Sequence, residues 1–264
     1  MTGLIRSNID MRFHHYIEGF ANNGENLPSA LNLKAKHCQC VATEARGLSL
    51  DLGWPASAQH TAEATGLLHD VGRFSQFAEF GTFSDAASVD HGNLGAEIVV
   101  QAGWLDAVSA QDRHAMIDAI RHHNCLTIPA NLPHNNLALL RVIRDADKLD
   151  IFRVVLEAVE RDGFQELPTM LPNIKLNRSP SPQLVDEIIC KKKASMKNVK
   201  SLADLLLMQM AWVYDLNYIP ALQRFHERGI LARILDHLDQ DASIHALVKD
   251  VSHFVMKRIR ATND

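Results

Sequence analysis

Long apolar runs are missing from this sequence. Runs such as Leu205 to Met208 and Ile98 to Val100 fall far short of the roughly 20 residues a helix needs to cross a bilayer, so no membrane association is expected. No secretory leader is expected either, because Met1 to Asp10 carries Arg6 but no apolar core. Cysteine is scarce, with Cys38, Cys40, Cys125 and Cys190 the whole complement. They suggest no disulfide framework, and a chain of 264 residues buries enough core to do without one. Cys38 and Cys40 are two apart and would point in different directions on a helix. Reduced thiols and a cytoplasmic location are expected. There is no surplus of positive charge either: the formal net charge is −4. That argues against a nucleic-acid polymer as partner, which needs a basic face, and leaves room for a small anionic substrate held locally. Period-two alternation, internal repeats and low-complexity tracts are absent too.

What is present is helical spacing and histidine. Apolar residues make up 47% of the chain, and there are 14 histidines. The spacing predicts helices over 8–22, over 29–50 with Ser29 as cap, and over 55–69 after the turn Asp51-Leu52-Gly53-Trp54-Pro55. Residues 71–89, with two glycines, several aromatics and Ser84-Asp85, read as a loop with a short helical turn. Asp90 can cap a helix from His91 to Ala102; further helices are expected over 109–123 and 137–162. Gly163, Pro168, Pro172, Pro180 and Pro182 make 163–182 the best connection in the chain. Beyond it, 183–264 is again helical, with stripes such as Leu202, Leu205, Leu206, Gln209 and Met210. These read as packing surface for the main domain or for a twin subunit in a homodimer. The chain is thus expected to be all-α, with a main domain over 1–162 and a C-terminal helical extension.

The strongest local feature is Leu67-Leu68-His69-Asp70-Val71-Gly72-Arg73-Phe74. Adjacent residues on a helix point about 100° apart. His69 and Asp70 can therefore share an ion only near a helix end, or if the carboxylate bridges two ions. His37 lies on the apolar stripe of its helix, after Ala30 and Leu33 and before Cys40, Val41 and Glu44; alone it reads as a core histidine. Asp147 shares a face with Leu140, Ile143, Ile151 and Val154, while Arg141, Asp145 and Lys148 occupy the other side. A carboxylate on a core face costs several kcal/mol unless it is paired, metal-bound or protonated. An ion pair with Arg144 is the structural alternative. His91 heads a helix whose apolar side is Leu94, Gly95, Ile98 and Val99. His123 extends the apolar face of Met116, Ala119 and Ile120, whereas His122 follows Asp118 and faces solvent, as a substrate contact or supporting residue. Imidazole with carboxylate suits Fe, Mn, Zn or Co rather than Ca or Mg.

The order His…His-Asp…His…His…Asp, with Leu-Leu-His-Asp-Val-Gly at its centre, resembles the HD superfamily of metal-dependent phosphohydrolases. The resemblance covers about residues 30–155, including His91-Gly-Asn-Leu-Gly-Ala-Glu-Ile and Arg144-Asp-Ala-Asp-Lys-Leu-Asp. It implies an HD-domain-like helical bundle holding two divalent transition ions. His37, His69, Asp70 and Asp147 would take the first, and Asp70 would bridge to a second held by His91 and His123. The extra histidines are similar to those of the dinuclear branch, which includes cyclic-dinucleotide phosphodiesterases and diadenosine-polyphosphate hydrolases. The Gly-Tyr-Pro stretch of the former is absent after His122-His123, which argues against cyclic di-GMP. The family's lysine after His-Asp-x-Gly is replaced by Arg73, whose fork also suits a phosphate, and Lys148 could add charge. The implied activity is hydrolysis of a small, nucleotide-like phosphoester or phosphoanhydride by metal-activated water. The rivals are a di-iron oxygenase with a similar ligand set, a non-catalytic regulatory module, and a mononuclear site in which His91 and His123 bind phosphate.

Overall fold

A computed structural model of the chain describes residues 1–21, 26–162, 174–239 and 241–261. The described residues are all-α, with twelve α-helices, three short 3-10 turns and no strand. None of the helices is long and apolar enough to cross a membrane. The chain divides into two compact units, Met1–Asp150 and Ile151–Asp264. That division falls inside a helix, ahead of the boundary after residue 162 drawn from the sequence. Of the Pro-rich connection, residues 163–173 lie outside the described residues.

The first unit contains α1 (Gly3–Glu18), α2 (Ser29–Asp51), α3 (Ala56–Leu68), α4 (Gly72–Phe80), α5 (His91–Gln101), α6 (Ala110–His122) and the start of α7 (His134–Asp162). α1 begins five residues earlier than the apolar spacing suggests, because the Thr2 hydroxyl accepts from Ile5 N and caps it there. Ser29 does not cap α2; it is the first helical residue, and Pro28 occupies the cap position with no side-chain bond. Asp90 caps α5 as expected, accepting from Asn93 N at 2.8 Å.

The larger departure is α4, a true helix where a loop was expected. Phe74, buried on its inner face, meets Phe13 and Tyr16 edge-on at 5.9 and 6.3 Å between ring centroids. Gly81 ends the helix in the left-handed region at φ 65°. The expected short turn is the 3-10 segment Asp85–Ala87 that follows.

Two glycines set how closely these helices approach. A Cβ on Gly66 would lie 2.8 Å from Val41 O and 2.9 Å from Ala42 Cα, so α3 rests on the backbone of α2. A Cβ on Gly72 would lie 2.3 Å from His91 O and 2.7 Å from Gly95 N, so α4 rests on α5 in the same way. Over 142–150 nearly every residue of α7 is buried: of the three residues on the side opposite Asp147, Asp145 and Lys148 are buried and Arg141 is exposed. A helix buried on both sides has no free polar face for such residues to occupy.

The second unit is built around α9 (Leu202–Ala211), every residue of which is buried. α8 (Pro182–Lys191) packs on it through Leu184, Val185 and Ile188, with α10 (Ile219–Glu227), α11 (Ile230–Leu235) and α12 (Ala242–Arg260) completing the unit. The expected single stripe on α9 is instead an entirely buried helix. Asp204, also buried, accepts from Ser181 N at 2.6 Å, Ser181 Oγ at 2.7 Å and Lys200 N at 3.0 Å.

Candidate metal centre

Five helices or helix ends bring the chemistry-bearing side chains together. α2 presents Lys34 and His37, three residues apart and therefore on one face. His69 closes α3, and Asp70 stands in the tight junction leading to α4, where Arg73 N donates to Asp70 O at 2.9 Å. His91 is the first residue of α5, and His123 follows α6 directly. α7 contributes Arg144, Asp147 and Asp150 at successive three-residue steps. His37, His69, Asp70, His91 and His123 are all at most 5% exposed.

The four imidazoles share one orientation. His69 Nδ1 lies 2.7 Å from Gly66 O and His123 Nδ1 2.8 Å from Ile120 O. A carbonyl can only accept, so both rings carry their proton on Nδ1 and direct the Nε2 lone pair inward. His37 Nδ1 is 2.7 Å from Asp150 Oδ2, and His91 Nδ1 is 2.7 Å from Asp85 Oδ2, with the same consequence. Pinning the outer nitrogen in this way is how metal-binding histidines are oriented and made more basic.

The inward nitrogens divide between the two oxygens of Asp70. His37 Nε2 and His69 Nε2 are each 3.7 Å from Oδ2. On the other side, His91 Nε2 is 3.2 Å and His123 Nε2 3.5 Å from Oδ1. Asp147 Oδ1 closes the first group, 3.1 Å from His37 Nε2 and 3.5 Å from His69 Nε2. In the second group the nitrogens of His91 and His123 stand 3.0 Å apart.

These donors fit divalent cations. Two ligand atoms about 2.1 Å from one ion lie roughly 3.0–3.5 Å from each other, close to the separations found here. His37 Nε2 and His69 Nε2 are buried without a hydrogen-bond partner, which costs free energy unless an ion takes them up. His91 Nε2 and His123 Nε2 face each other at 3.0 Å, where a proton or a shared cation can lie between them. Three overlapping ligand groups are within reach of a cation: His37, His69 and Asp70; Asp70, His91 and His123; and His69, His123 and Asp147, which runs between the other two.

Both carboxylates of the cluster are held ionised. Burial raises the Asp70 carboxyl, but Lys34 and the surrounding imidazoles outweigh it and hold the group well below the usual carboxylate range. Asp147 is held down likewise, burial being overcome by His37 and His69. Burial presses His37 and His91 towards neutrality, yet Asp147 with Asp150, and Asp70 with Asp85, carry them above the ordinary imidazole value. His123, deeply buried and beside two other rings, is pushed down to about 4.

Each expected residue has a definite place. His123 belongs to the cluster, whereas His122 is half-buried with Nδ1 3.8 Å from Cys125 Sγ. Arg144, the structural alternative for pairing Asp147, directs Nη1 to the carbonyls of His123 at 2.8 Å and Cys125 at 2.5 Å. Asp147 is 18% exposed at its side chain, the most open of the ligand candidates, rather than lost in the core. Lys148 is buried beside it. Arg73 is tied by Nη1 to Gln76 Oε1 at 2.9 Å, Asp85 Oδ1 at 2.8 Å and Phe83 O, with its Nε 3.5 Å from Asp70 Oδ1. It is thus a brace between α4 and the segment after it rather than a free fork.

Three residues escaped the sequence reading. Lys34 Nζ is 2.8 Å from Asp70 Oδ2 and lies over the Phe83 ring; its position one turn before His37 was the available signal. Asp150, one turn after Asp147, was equally visible. Nothing local marks Asp85, whose role depends on how the 81–90 segment folds back.

The HD domain family model matches residues 35–151. The stretch contains His37, His69, Asp70, His91, His123, Asp147 and both carboxylates that brace histidines. No curated protein and no solved structure matches the chain.

Proposed function

We propose that this chain is an HD-type metal-dependent phosphohydrolase with a dinuclear centre, acting on a small, nucleotide-like phosphoester or phosphoanhydride. The observation that carries the reading is the partition of four Nδ1-anchored imidazoles between the two oxygens of Asp70. His37, His69 and Asp147 with Asp70 Oδ2 would hold one ion; His91 and His123 with Oδ1 would hold the other. Such ions, from the group Fe, Mn, Zn or Co, supply Lewis acidity towards phosphate oxygens and acidify water to near neutrality.

The chain's own groups set the conditions for that chemistry. Each Nδ1 proton is donated outward to a carboxylate or carbonyl, so Nε2 is the nitrogen that faces the centre and would bind an ion in the neutral ring. Asp70 and Asp147 stay ionised, since their carboxyls are held far below cellular pH. Lys34 and Arg73 flank Asp70 on opposite oxygens, 2.8 and 3.5 Å away, and place positive charge where an anionic substrate would arrive. Lys148 adds to it beside Asp147. Arg144 fixes the chain after α6 and thereby the seat of His123. On this reading a substrate would approach from the side on which Asp147 is partly exposed.

The test is to purify the protein, count its metals by mass spectrometry and assay it, loaded with each of the four metals, against phosphomonoesters, phosphodiesters and nucleotides. About two ions per chain with hydrolysis that chelation abolishes is expected. Two ions with no hydrolysis on the whole panel would refute the assignment, and substrate-dependent oxygen uptake by the iron form would replace it with an oxygenase.

A further inference from the structure

The Asp85 carboxylate gathers four donors from three elements. His91 Nδ1 lies 2.7 Å from Oδ2 and 2.9 Å from Oδ1. Arg73 Nη1 and Gln76 Nε2, both on α4, reach Oδ1 at 2.8 and 2.9 Å. Asn124 Nδ2, just after α6, reaches Oδ2 at 3.2 Å. Asp85 opens a three-residue 3-10 turn, and its side chain is 31% exposed. A carboxylate from a surface turn therefore reaches in to hold one histidine of a buried cluster.

We infer that Asp85 is the positioning residue of the second half of the centre, governing whether His91, His123 and Asp70 Oδ1 retain a divalent cation while the first half fills independently of it. The inference rests on reading those three residues as a cation site.

The two halves differ in a way that makes such control selective. The first half has two imidazoles and two carboxylates, Asp70 and Asp147; the second has two imidazoles and Asp70 alone. With one donor fewer, the second half depends more on the alignment of each ligand. The anchors differ as well. His69 and His123 hang on main-chain carbonyls of their own helices, which no side-chain change removes. His37 is braced by Asp150 from the long helix α7. Only the His91 brace comes from a short turn. Without it the ring is free to rotate or change tautomer, and Nε2 leaves its place 3.2 Å from Asp70 Oδ1 and 3.0 Å from His123 Nε2. Loss of such a supporting partner costs about 10–100-fold in metal affinity.

The experiment titrates Mn²⁺ into the metal-free full chain by calorimetry, with bound metal counted after equilibrium dialysis. Wild type, Asp85→Asn, Asp85→Glu and Asp150→Asn are compared, and thermal melting of each reports on folding. Asp85→Asn should keep the tighter ion at unchanged affinity and bind the weaker one about 10–100-fold less well. Asp85→Glu, which restores the charge on a longer arm, should recover part of that loss. Asp150→Asn should affect the other ion. Unchanged binding of both ions in Asp85→Asn would overturn the inference, and so would an equal loss of both with lowered melting, since that is the mark of a merely structural carboxylate. Wild-type protein that binds no ion at all would overturn the dinuclear reading itself, an outcome separate from either.

Discussion

Replacing Gly72 with alanine perturbs the centre through main-chain contact alone. The new Cβ would stand 2.3 Å from His91 O, 2.7 Å from Gly95 N and 3.2 Å from Gly95 Cα. None of these atoms can rotate aside, and comfortable carbon contacts begin near 3.5 Å. α4 and α5 must therefore part by about 1 Å. Overpacking of this kind costs about 1–3 kcal/mol. Alanine's stiffer unfolded chain returns about 0.5–1 kcal/mol. The net loss is roughly 1–2 kcal/mol, or a few degrees in Tm for a protein of this size. The functional loss should be larger than the stability loss. Gly72 is two residues from Asp70, and the clash is with His91 itself, so parting the helices stretches the 3.2 Å approach of His91 Nε2 to Asp70 Oδ1. On the dinuclear reading proposed above, one of the two ions should be lost, and hydrolysis with it. Gly81→Ala is the control: it strains a left-handed residue at φ 65° with nothing within 4 Å of the new methyl. It should lower Tm by a similar amount and leave both ions bound. Thermal melts and metal counts on the two variants decide the matter. A Gly72→Ala protein that keeps wild-type metal content would refute the argument that backbone contact sets the ligand spacing.

Two further outcomes follow from the described geometry. His123→Ala should remove one bound ion, whereas His122→Ala should leave metal content unchanged, because only His123 presents Nε2 to Asp70; metal counting on the two proteins checks it. In the second unit, Asp204→Ala removes three accepted hydrogen bonds, which at about 1 kcal/mol or more each should lower stability by about 3 kcal/mol and Tm on the order of 10 °C. Burial raises the Asp204 carboxyl, but the Ser181 and Lys200 donors bring it below its ordinary value. A depressed folded-state pKa means that the contribution of Asp204 is complete above the unfolded value near 3.9 and fades as pH falls through the folded one. The melting difference between wild type and variant should therefore be constant at neutral pH and shrink in acid.

The ligand candidates were legible because they lie on helices whose period is regular. His37 on a stripe, His123 extending another and His-Asp at a helix end all follow from 3.6 residues per turn. The all-α fold was legible for the same reason. What sequence spacing misses is what comes from another segment. Asp85 braces His91 only because residues 81–90 fold back over α5, and Lys34 shows its purpose only once Asp70 stands opposite. Residues 71–80 looked like a loop because glycine and aromatics weaken the apolar rhythm; packing of Phe74 against Phe13 and Tyr16 makes them helical. Asp145 and Lys148 lie on the side of α7 opposite Asp147, and a two-sided picture of the helix does not foresee that this side is buried as well.

Gly66 and Gly72 give the centre a chassis of bare backbone. Main-chain atoms have no rotamers to change, so core side chains can drift in size while the gaps α2–α3 and α4–α5 hold their width. Donor types can likewise be exchanged at the corners of this frame without rebuilding it. If the proposed centre holds metal, its metal preference should thus be easier to alter by substitution than its place in the fold.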